Sequence, residues 1–81
     1  MDTRRDGVPA KPEQFLSDLT PREQQIAELI SEGLTNEQIA VRLTLTPGTV
    51  ANHVCHILAK TGVRSRLHVA VALALARREG P

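Results

Sequence analysis

Apolar positions repeat at helical spacing along most of this chain, in four blocks separated by short polar punctuation. Ile26, Leu29 and Ile30, with Ala27 beside them, form the first block. Ile39, Ala40 and Leu43 form the second, and Val50, Val54, Ile57 and Leu58 the third; an unbroken apolar run from Val69 to Ala76 dominates the fourth. Spacings of three and four put each of the first three sets on one helical face. No such repeat precedes Phe15 and Leu16. Residues 1–17, rich in proline, glycine and charge, therefore read as a linker or flexible arm ahead of one domain over residues 18–79.

The punctuation between blocks supplies helix starts and stops. Thr20-Pro21-Arg22-Glu23 combines a cap hydroxyl, a proline at the first helical position and a glutamate three residues after the cap, which is the reciprocal capping box. Thr35-Asn36-Glu37-Gln38 repeats that logic with glutamine, and Thr46-Pro47-Gly48-Thr49 repeats the hydroxyl and proline. Gly33 is placed as a left-handed stop, Gly62 as the end of the third helix, and Ser65 as a fourth cap. The expected fold is all-α, a four-helix bundle-like domain with helices over about 21–32, 36–43, 47–61 and 66–78.

Length and composition set bounds on function. A chain of 81 residues allows one domain, which buries only about 60–65% of its unfolded surface. One cysteine, Cys55, excludes an internal disulfide, and no C-x-x-C spacing suggests zinc. The N-terminus leads into no signal-peptide core, and the longest apolar run is far short of the roughly 20 residues a membrane span needs. The expectation is a cytoplasmic chain with no membrane association. No glycine-rich phosphate loop, nucleophile elbow or carboxylate pair in a plausible cleft is present, so no enzyme and no cofactor is expected.

The net charge of +1 conceals an asymmetry. Residues 1–40 carry four cations against eight anions, whereas residues 41–81 carry six cations and one anion, Glu79, with no acid between positions 38 and 76. Such a stretch can approach a polyanion without like-charge repulsion. Charge alone is equally consistent with a solvated basic face.

Two short helices joined by the tight Thr44-Leu45 turn, the second opening with hydroxyl residues inside the acid-free stretch, make the arrangement that places a recognition helix in the major groove. Small Ala40 allows the close crossing, with Ile39, Leu43, Leu45 and Val50 filling the wedge. An ordinary helical hairpin would show some of the same features.

The wider pattern resembles the LuxR-type (GerE-type) DNA-binding domain of bacterial transcription regulators. The resemblance runs through Leu19-Thr20-Pro21-Arg22-Glu23, Glu32-Gly33-Leu34-Thr35-Asn36 and Gln38-Ile39-Ala40. It continues through Leu43, Thr46-Pro47-Gly48-Thr49-Val50, His53-Val54, Ile57-Leu58, Lys60 and Gly62-Val63-Arg64-Ser65-Arg66, covering residues 18–76. It implies a four-helix domain whose third helix enters the major groove of double-stranded DNA and whose fourth helps form a homodimer on a two-fold related site. Family members often carry a cation where this chain has Glu37, Ala51 and Cys55, and usually leucine where it has Thr61. Each missing phosphate contact implies a shallower salt dependence and lower non-specific affinity.

The outward face of the predicted third helix carries Thr49, Ala51, Asn52, His53, Cys55, His56 and Lys60. Asn52 is the best base reader, because an amide can pair bidentately with an adenine edge, and Ala51 can touch a thymine methyl. Thr46, Thr49, His53 and Lys60, with Arg64 and Arg66 beyond the helix end, suit phosphates. His53 and His56 share a face, but Cys55 is turned well away from His53 and no fourth ligand is evident, so no metal is expected. Redox control through Cys55 would need an activating environment.

The fourth helix is apolar all round. Leu67, Ala70, Val71, Ala74 and Leu75 form one stripe, and Val69, Ala72, Leu73 and Ala76 the other. A small domain covers one side only, so the second stripe is expected to form the dimer interface. An exposed alanine-rich side is also tolerable. The rival functional reading is a helical protein-interaction module that touches RNA polymerase or a regulatory partner, with weakened DNA binding.

Overall fold

The computed structural model describes residues 12–79 as five helices: α1 (Pro12–Ser17), α2 (Pro21–Ser31), α3 (Asn36–Leu43), α4 (Pro47–Thr61) and α5 (Arg66–Glu79). The four expected helices are α2 to α5, each within one residue of the expected bounds. The part of the expected arm before Pro12 lies outside the described residues.

The helix starts follow the cap chemistry. The Glu23 amide donates to Thr20 Oγ1 at 3.1 Å while the Thr20 amide donates to Glu23 Oε1 at 2.9 Å. Thr35 and Gln38 reproduce the exchange at 3.2 and 2.8 Å. Thr46 Oγ1 accepts from the Thr49 amide at 3.1 Å, and Ser65 Oγ accepts from the His68 amide at 3.3 Å. Each such cap stabilises its helix by about 1 kcal/mol.

Two helices end in the same type of turn. At α2, Gly33 has φ 89°, its amide donates to Ile30 O at 3.0 Å, and the Leu34 amide reaches Leu29 O at 3.2 Å. At α3 the left-handed position is held by Thr44, φ 58°, with its amide on Val41 O at 3.4 Å and the Leu45 amide on Ala40 O at 2.8 Å. Both are Schellman turns. A β-branched residue at positive φ costs about 1–2 kcal/mol relative to glycine, so hydrogen bonds and packing, rather than residue preference, hold the α3–α4 turn. Ala40 is buried, as the close crossing of these helices requires.

Helix α1 is the element the apolar pattern did not give, and it adds a short fifth helix to the four expected ones. Pro12 sits at its first position and it ends at Ser17, whose hydroxyl donates to Gln14 O at 3.1 Å. Six residues are too few to be helical alone. Packing supplies the stability: α1 lies against α5, Phe15 is only 1% exposed, and Gln24 Nε2 donates to Leu16 O at 3.0 Å, tying the end of α1 to α2.

The packing divides into two sets. α1 and α2 cover α5, α3 packs against α4, and α2 touches both groups. Consequently the two stripes of α5 exchange the roles expected from the sequence. Val69, Ala72, Leu73 and Ala76 are core residues, between 0% and 2% exposed, and cannot meet a partner. The outward stripe carries Leu67, 70% exposed, Val71 and Ala74.

Glu23 links the sets. Besides closing its capping box it accepts from Lys60 Nζ at 2.8 Å, although its own side chain is only 6% exposed. Burial raises its pKa, but the Lys60 hydrogen bond, the Thr20 amide and the Lys60 charge together outweigh it and hold the carboxyl below its ordinary value of 4.5. A folded-state pKa below the unfolded one means that the ionised form adds stability above the unfolded value, and that this is lost as pH falls through the folded one. Urea midpoints measured down from pH 7 should therefore converge for the parent and Glu23→Gln as pH falls below 4.5. Curves that stay parallel would show that this carboxylate carries no such linkage.

Candidate nucleic-acid interface

Helix α4 turns Val50, Ile57 and Thr61 inward, and its opposite side is exposed. Asn52, Cys55, His56 and Ala59 stand there at successive helical spacings, all exposed, with half-buried Ala51 and His53 flanking them. Thr46 at the cap is exposed and half-buried Thr49 lies one turn on, their hydroxyls bonded at 2.9 Å. Arg64 is exposed just past Gly62. The structure thus brings Thr46, Thr49, Ala51, Asn52, His53, Cys55 and His56 onto one surface.

Two of the expected phosphate ligands are engaged elsewhere. Lys60 is paired with Glu23, as described. Arg66, half-buried at the start of α5, donates from Nη1 to Asn36 Oδ1 at 2.7 Å and from Nη2 to Leu34 O at 2.6 Å. Both cations hold the fold together, and their partners lie 37 and 30 or more residues away. The outward residue that sequence reasoning missed is Ala59. It continues the Asn52-Cys55-His56 stripe, and its signal was the i, i+7 relation to Asn52.

Thr61, where leucine was the family expectation, is buried at 4% exposure with its hydroxyl donating to Ile57 O at 2.6 Å. Its polar atom is thereby satisfied inside the helix it ends.

Electrostatically the surface is free of acids. Within α4 and α5 the sole acidic residue is Glu79, at the far end of α5, while Glu23, Glu28, Glu32 and Glu37 lie on or beside α2 and α3. With so few free cations, the site offers shape and hydrogen-bonding groups more than charge. Among the described residues no helix is long and apolar enough to cross a membrane.

A capped helix-turn-helix whose second helix exposes a small-residue, acid-free face is the architecture found in helix-turn-helix DNA-binding domains of transcription regulators. The chain belongs to the luxR family of bacterial regulatory proteins, whose GerE family model matches residues 17–73. Over 62 residues it is 47% identical to the nitrate/nitrite response regulator protein NarL of Escherichia coli (strain K12), covering 76% of this chain and 29% of NarL. Over 66 residues it is 46% identical to the DNA-binding transcriptional activator DevR/DosR of Mycobacterium tuberculosis, covering 82% of this chain and 30% of that protein. Over 61 residues it is 44% identical to the transcriptional regulatory protein LnrK of Bacillus subtilis, covering 75% and 27%. The chain spans between 7% and 30% of the length of these and other curated relatives.

Proposed function

We propose that α4 reads the major groove of double-stranded DNA and that two copies, associated through α5, recognise a two-fold related site. The observation that carries this reading is the outward face of α4: Asn52 at its centre, small Ala51, Cys55 and Ala59 around it, and no acid. Small neighbours let the helix sit deep enough for the Asn52 amide to reach an adenine edge. Thr46, Thr49, His53, His56 and Arg64 border that centre and suit phosphate oxygens. The second copy meets the stripe of Leu67, Val71 and Ala74 that the fold leaves uncovered.

Selection from a pool of random duplexes, at two salt concentrations and at protein concentrations that permit dimers, should enrich a two-fold symmetric motif. In the same assay Asn52→Ala should relax sequence preference more than it lowers total binding, because amide readout is worth about 1–3 kcal/mol per base. Equal losses on selected and random duplex would remove Asn52 from base recognition.

The second reading, a protein-interaction module contacting RNA polymerase or a regulatory partner, is favoured by the engagement of Lys60 and Arg66 inside the domain. No enrichment, together with no salt-dependent binding to any duplex, would decide for it.

A further inference from the structure

We propose that Arg66 is a positioning residue that fixes the spacing between the two half-sites a dimer reads; the inference rests on the dimeric DNA reading above. Arg66 is the first residue of α5 and is followed directly by Leu67, the most exposed large hydrophobic residue of the uncovered α5 stripe. Its planar guanidinium reaches 30 and 32 residues back along the chain, to Asn36 Oδ1 at 2.7 Å and to the Leu34 carbonyl at 2.6 Å. Asn36 is the first residue of α3, and Leu34 follows Gly33 in the α2–α3 turn.

The packing gives this link its importance. α5 rests chiefly on α1 and α2, and α3 rests chiefly on α4, so the helix that meets the partner and the pair that meets DNA belong to different sets. The Glu23–Lys60 pair joins α2 to α4 near the end of α4, and the Arg66 fork joins α5 to the beginning of α3. The packing of α2 on α4 through the shared core holds the two sets together, and the two polar connections, at separate points, trim the angle between them. A guanidinium fork holds two acceptors in one plane, which an ammonium cannot do. Removing the fork leaves each helix, each α4 face and the shared core intact but loosens the angle of α3 against α5, so the distance between the two α4 helices of a dimer is set less sharply.

The test uses the whole chain and duplexes carrying two inverted copies of the selected half-site, with their separation varied one base pair at a time around about one helical turn. A duplex with one half-site is measured beside them. Arg66→Lys keeps the charge without the fork, and Asn36→Ala removes one acceptor while leaving Arg66 and the net charge alone. For the parent, the preferred separation should bind about tenfold more tightly than its neighbours; in both variants that ratio should fall to about threefold or less, a loss of about 0.7 kcal/mol of spacing preference. Single half-site affinity should change less than the ratio does. A residue that merely stabilises the fold would weaken all duplexes alike and leave the profile sharp, and that result in Asn36→Ala or Arg66→Lys would overturn the assignment. A parent with no preferred separation would instead overturn the dimeric reading and this inference with it.

Discussion

Phe15→Ala is expected to destabilise the domain by about 3–5 kcal/mol, the range for emptying a buried aromatic site. Phe15 is the chain's one aromatic residue and only 1% exposed. It is the fully buried side chain of a six-residue helix packed against α5, in which Leu16 is only partly buried. Losing it would expose part of the α5 surface that α1 covers. For a domain of this size each kcal/mol is about 4–8 °C, so the melting temperature should fall by more than about 12 °C. Calorimetry or circular dichroism would measure it. A loss below about 1 kcal/mol, the scale of a surface substitution, would mean that α1 is an appendage and that the core is complete without it.

The second large effect concerns affinity. Lys60 is committed to Glu23, which leaves the outward face of α4 without a free lysine or arginine. Ala51→Lys combined with Cys55→Lys should therefore tighten binding to random duplex roughly 10- to 100-fold near 0.1 M salt, and steepen the log–log salt slope by about 1.8 for two added phosphate contacts. The lysine stems can lie along the helix while their ammonium groups reach outward, so half-buried Ala51 tolerates the change. Fluorescence anisotropy across a salt series gives both quantities. An unchanged slope would place these positions away from the phosphates and remove α4 from the groove.

Legibility in the sequence followed the range of the interactions concerned. Helices α2 to α5 were readable because their caps are local: Thr20 with Glu23, Thr35 with Gln38, and Thr46 with Thr49 are each three residues apart. The outward face of α4 was readable because helical period alone sets it. What escaped was long-range. α1 has two neighbouring apolar residues and no repeat, and its contacts with α5, about fifty positions later, and with Gln24 of α2 make it a helix. The two stripes of α5 are nearly equal in apolar size, so composition could not say which was covered; α1 and α2 decide it. Lys60 and Arg66 read as phosphate ligands because their acceptors, Glu23, Asn36 and Leu34, are distant in sequence and become neighbours only on folding.

The threonine at the α3–α4 turn has a consequence for how this domain comes apart. Thr44 at φ 58° occupies a conformation its side chain disfavours by about 1–2 kcal/mol, and the compensation comes from bonds to Ala40 and Val41 and from the partial burial of Leu45. Those compensations exist only while the last turn of α3 is wound and Leu45 is packed. If α3 frays at that end the turn loses its support, and if α4 withdraws the left-handed residue has nothing to hold it. The two helices are thus lost together, as one cooperative unit, and the outward face of α4 is either whole or absent.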